Sequence, residues 1–74
     1  MERYKNKQGH SGVTAYNIAA KSITVTFNNN TSYCYTYGST GKKAVEHMKE
    51  LAKNGRGLST YISRYVKQKF ERKF

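Results

Sequence analysis

The 74-residue sequence has no proline, no tryptophan, one cysteine and only four acidic residues. A lone Cys34 allows no intramolecular disulfide and no cysteine-based zinc site, so a chain this short has neither staple available. Aliphatic residues are scarce too. Two Leu, three Ile and four Val, with three Phe, are about 16% of the residues. Beside a net charge of +10, that share belongs to the composition of disordered chains. No run is apolar enough to span a membrane, and Met1-Glu2-Arg3-Tyr4-Lys5 leads into polar residues rather than a signal-peptide core. These absences predict a cytoplasmic chain with no membrane insertion. The acids, one of them Glu2 at the terminus, cannot readily furnish a two-metal centre. His10 and His47 are the only histidines, and only His47 with Glu46 or Glu50 approaches ligand spacing, so neither metal nor cofactor is expected.

Against these shortages stand seven tyrosines and 14 Lys and Arg. A tyrosine can bury its ring and keep its hydroxyl wet, so it can replace missing aliphatic core. Residues 1–11 read as a flexible basic arm and 12–74 as one domain. Val13–Tyr16 alternates like a short strand, and Asn17–Ser22 reads as a break. Ile23-Thr24-Val25-Thr26-Phe27 alternates cleanly with β-branched residues, Asn28–Asn30 is turn chemistry, and Ser32–Tyr37 returns as a third strand. Gly38-Ser39-Thr40-Gly41 then breaks the sheet, with Ser39 or Thr40 as cap for a helix over 42–53. That helix carries Ala44, Val45, Met48, Leu51 and Ala52 on one side and closes at Asn54-Gly55. Leu58, Tyr61, Ile62, Tyr65, Val66 and Phe70 trace a second helical stripe from about Ser59 to Phe70. The expected fold class is α+β, a three-stranded antiparallel meander followed by two helices on one face.

Charge is partitioned along this plan. Residues 22–41 hold no charged side chain, whereas 42–74 hold ten basic and three acidic ones. A polybasic tail would not be divided in this way. A neutral sheet and a basic helical layer point to a folded domain whose partner is polyanionic: nucleic acid, an anionic membrane face or an acidic protein.

The turn decides what the tyrosines do. Tyr33, Tyr35 and Tyr37 share one face of their strand. A two- or four-residue loop puts them beside Thr24 and Thr26, as an exposed platform for stacking unpaired bases. A three-residue loop over Asn28–Asn30 sets Tyr33 and Tyr35 beside Val25 and Ile23, and makes them core. With so few aliphatics the second arrangement is favoured, and Tyr37 at the strand end stays open.

Ser11, then Tyr16-Asn17, Ile23-x-Val25-x-Phe27, an Asn turn and Tyr33-x-Tyr35 resemble the KTSC domain. This is a short module named after the C-terminus of some lysyl-tRNA synthetases, which also occurs as a stand-alone small protein. Tyr16 stands seven residues before Ile23 and Gly55 seven before Ile62, as the corresponding family positions do. Asn17 and Asn30 stand where the family has Asp and Gly, and the Val-Pro that follows its Tyr pair is missing. The resemblance implies a β-meander with helices and an RNA-binding role, and transfers no catalytic residue.

Two glycine-rich junctions invite phosphate. Gly38-Ser39-Thr40-Gly41-Lys42-Lys43 lacks P-loop spacing, but its amides with Lys42 and Lys43 suit one backbone phosphate. Arg56, between Gly55 and Gly57, suits a bidentate phosphate contact. The sequence thus points to a small, non-catalytic nucleic-acid-binding module, RNA favoured by the family resemblance. Lys42, Lys43, Arg56, Arg64, Lys67, Lys69, Arg72 and Lys73 would neutralise phosphates, with Tyr37 as a stacking contact. The alternatives are an adaptor or inhibitor, of the sort phages and mobile elements carry, docking on an acidic protein, and a metal-independent small ribonuclease.

Overall fold

In the computed structural model the chain forms a five-stranded antiparallel sheet whose spatial order follows the sequence. The strands are β1 (Glu2–Arg3), β2 (Val13–Ala19), β3 (Ser22–Phe27), β4 (Ser32–Thr36) and β5 (Arg72–Lys73). Helices α1 (Tyr37–Thr40), α2 (Lys42–Asn54) and α3 (Leu58–Tyr61) lie between β4 and β5 in sequence, and α3 runs on into a π-helical turn, Ile62–Val66. The structure describes residues 2–5, 12–28, 30–66 and 69–74. The α+β class is as expected. The element count is not: five strands stand where three were read, and three helices where two were.

Both extra strands are two residues long, too short for a period of two to show. β1 pairs Glu2 with Tyr16 and Arg3 with Ala15. Tyr4 follows with its amide on the Thr14 carbonyl at 2.9 Å and its ring buried. Residues 2–5 therefore belong to the domain rather than to a loose arm; residues 6–11, His10 and Ser11 among them, lie outside the described residues. At the other edge β5 pairs Lys73 with Tyr33 and Arg72 with Cys34. The second helical stripe does not reach Phe70, because the chain has left the helix by Lys69, whose amide bonds the Val66 carbonyl at 2.7 Å.

The β2–β3 hairpin turns on Ala20-Lys21, so β2 continues through Asn17 to Ala19 where a break was expected. A β-bulge between Val13 and Ala15 shifts the phase of β2. Val13 and Tyr16 are consequently both buried although three residues apart. Between β3 and β4 the Phe27 amide bonds the Thr31 carbonyl at 2.9 Å, and Asn30 takes φ of 65°. This three-residue connection sets Ile23 opposite Tyr35 and Val25 opposite Tyr33. The tyrosines are on the core face. Tyr35 is fully buried, and Tyr33 is half-buried, with ring centroids 5.5 Å from Phe27 and 4.8 Å from Phe70.

Thr36 caps α1 through a reciprocal box with Ser39, its hydroxyl accepting from the Ser39 amide at 3.1 Å. Ser39 and Thr40 therefore do not cap α2, and Tyr37 opens a helix rather than ending a strand. Gly41 at φ of 103° stands before α2 with no side-chain cap. Helix α2 buries Val45, Met48 and Ala52 against Ile23, Val25 and Tyr35, and Gly55 ends it in the left-handed conformation. Leu58, Ile62 and Val66 complete the core. Among the described residues no helix is long and apolar enough to cross a membrane.

Candidate nucleic-acid interface

Tyr37, read from the sequence as a stacking contact, is engaged inside the fold. Its hydroxyl donates to Glu46 at 2.5 Å, and Lys49 Nζ lies 5.6 Å from its ring centroid. Lys49 is buried, ion-paired to Glu46 at 2.8 Å, and donates to the Ala20 carbonyl at 3.1 Å. The bond to Glu46 holds the Tyr37 phenol above its ordinary range. The bonds from Lys49 and Tyr37 hold the Glu46 carboxyl below its own. The network ties α1, α2 and the β2–β3 turn together.

Of the basic residues read from the sequence as phosphate contacts, five lie together, and Arg56 and Arg64 lie elsewhere. Thr40 Oγ1 donates to the Lys69 carbonyl at 2.8 Å, and Thr36 Oγ1 to Glu71 at 3.1 Å. These bonds fix the start of α2, with exposed Lys42 and Lys43, beside the segment carrying exposed Lys69, Arg72 and Lys73. Lys73 Nζ also lies 5.8 Å over the Tyr33 ring. Arg56 is exposed at the far end of α2, roughly 20 Å away at ~1.5 Å per residue. It belongs to the other pole of the helical layer. Lys67 lies outside the described residues.

Arg64 belongs to a third feature that the sequence reading missed. It lines an open groove of about 300 Å³ with His47, Leu51, Gly57, Thr60, Tyr61 and Tyr65. Three rings follow one another there: His47 and Tyr61 at 4.7 Å between centroids, Tyr61 and Tyr65 at 5.0 Å. Tyr65 is 62% exposed. By α-helical spacing Tyr61 and Tyr65 belong with Leu58 and Ile62 on the core stripe. Tyr61 keeps that place, partly buried against the core, but the π turn undoes it for Tyr65. A turn closed from i to i+5 rotates less per residue than an α-turn, so Val66 comes back over the core while Tyr65 swings outward. His47 shares the groove with Leu51, as residues four apart on one helix do.

Eleven of the twelve described Lys and Arg side chains are exposed, and none of the eleven pairs with a carboxylate among the described residues; Lys49 is the exception. Among the described residues, no three His, Cys, Asp or Glu side chains gather in a way that could hold a metal ion. Cys34 is a half-buried free thiol on β4. No family model, no curated protein and no solved structure matches the chain.

Proposed function

We propose that the protein is a small nucleic-acid-binding module, with RNA as its preferred partner, that acts by binding rather than by chemistry. The observation that carries this reading is the uncompensated cation shell. A folded domain ordinarily intersperses both signs on its surface. Among the described residues, exposed Lys and Arg stand without an ion-paired carboxylate over the helical layer and the β5 edge, and a polyphosphate is the chemistry that satisfies such a surface. The KTSC resemblance favours RNA over DNA.

Binding of a labelled single-stranded RNA, followed over a range of NaCl, tests it. Affinity is expected to fall linearly in log–log form. Charge reversal of Lys42 and Lys43 together should flatten the slope by roughly 0.7 for each phosphate that is no longer neutralised. Affinity indifferent to salt, or no binding near physiological salt, overturns the reading. Pull-down with and without nuclease separates it from docking on an acidic protein, since partners that survive digestion contradict it.

A further inference from the structure

We infer that the groove between α2 and the π turn is a receptor for an unpaired nucleobase, with Tyr61 and Tyr65 as its stacking floor and Arg64 holding the adjoining phosphate; this rests on the nucleic-acid-binding reading above. Tyr65 is one of two large hydrophobic side chains that the described fold leaves exposed, the other being Phe74 at the chain end. It is not isolated. Its ring continues through Tyr61 to His47, and Tyr65 is the one tyrosine of the fold that neither belongs to the core nor packs against it.

The groove's size and composition limit its occupant. Its volume, about 300 Å³, stands open to solvent, with room for one planar ring to lie against it and its sugar to project outward. Tyr61 and Tyr65 line it, their rings 5.0 Å apart and tilted 37° to each other, and an aromatic ring is a surface on which any base can stack. The groove opens beside a guanidinium with no carboxylate partner among the described residues. A second copy of this chain is disfavoured there by the +10 charge that each would bring. A duplex hides its base faces within its own stack, so the occupant is a base from a single strand, a loop or a bulge.

The arrangement also divides the labour of the surface. The pole with Lys42, Lys43, Lys69, Arg72 and Lys73 offers charge without exposed rings beyond the terminal Phe74. The groove offers rings with a single Arg. A strand crossing both would be held along its phosphates at the first and gripped by a base at the second, so removing the rings should weaken the hold on bases and spare the hold on backbone.

The test compares four oligonucleotides of equal phosphate number: unpaired RNA, unpaired DNA, an abasic strand and an RNA duplex. They are bound to the unmodified protein, to Tyr61→Ala/Tyr65→Ala and to Tyr65→Phe. The double substitution is expected to weaken both unpaired strands by ~10-fold or more and to leave the abasic strand and the duplex unchanged. Tyr65→Phe, which keeps the ring, should bind as the unmodified protein does, and the retained affinity of the double variant for the abasic strand and the duplex shows that it is still folded. Equal affinity of the unmodified protein for abasic and base-bearing strands, or unaltered binding of unpaired strands by the double variant, overturns the groove assignment and leaves the nucleic-acid reading standing. Failure of the unmodified protein to bind any of the four removes both.

Discussion

Two buried residues of this fold carry polar chemistry that pH can interrogate. Tyr35 lies in the middle of the core, and burial pushes its phenol up to about 12. A phenol whose folded value lies above its unfolded one leaves stability intact below the unfolded value near 10, and stability falls as pH rises toward the folded value. The loss for a shift of this size is on the order of 2–3 kcal/mol. Denaturant midpoints between pH 9.5 and 12 should therefore fall steeply in the unmodified protein and less steeply in Tyr35→Phe. Matching slopes would show that Tyr35 is not the group responsible. Around Lys49 the acid side applies. The Glu46 carboxyl is held low by its bonds from Lys49 and Tyr37. Its contribution is present above the ordinary carboxylate range and is lost as pH drops through its depressed value. Glu46→Gln should lack that part of the acid limb, and it should harm the fold more than Lys49→Met does. Removing one partner strands a buried ammonium, while replacing the ammonium with an isosteric thioether does not.

At the scale of elements, Gly55 is where α2, α3 and the N-terminal segment meet. It takes φ of +75°, and a Cβ there would stand 2.6 Å from the Lys5 Cβ. One turn on, the Leu58 amide donates to the Tyr4 hydroxyl at 3.3 Å, so the same corner holds β1 against the helical layer. Gly55→Ala is expected to destabilise by roughly 1–3 kcal/mol, combining left-handed strain with displacement of Lys5. It should also raise amide exchange at Tyr4, whose bond to Thr14 closes β1. Exchange at Tyr4 that is unchanged would mean that the two segments do not hold each other. This corner shows what the sequence could and could not reveal. The β3 and β4 alternation was legible because each side chain commits to one face, and α2 because Val45, Met48 and Ala52 repeat on one stripe. Two-residue strands at the edges have no pattern to read, and they form because β2 and β4 present unpaired backbone to them. Tyr65 was misplaced for a different reason, whereas Tyr61 does pack partly buried against the core. Tyrosine is at home on either side of a surface, and the unwinding that turns Tyr65 outward lies in the hydrogen-bond closure of Ile62–Val66, which no residue type announces.

For the molecule as a whole, one property governs stability and binding in opposite senses. The domain measures 31 × 22 × 22 Å and carries +10. In ~0.01 M salt the screening length is about 30 Å, so nearly every exposed cation feels all the others; at 0.1 M it is about 10 Å and only neighbours repel. With a single ion pair among the described residues to weaken, added NaCl relieves repulsion and gives up little attraction. The melting temperature should rise between 0.01 and 0.3 M NaCl, by several degrees if the relief is about 1 kcal/mol. Affinity for RNA should fall across the same interval. These trends converge in the complex. A bound strand raises the melting temperature by mass action and neutralises the charges whose repulsion salt would otherwise screen. Saturating RNA should therefore lift the melting temperature most at 0.01 M, and the salt dependence of the complex should flatten or reverse. A complex that kept the free protein's upward trend would place the bound phosphates away from the exposed cations and would refute the assignment of that surface to nucleic acid.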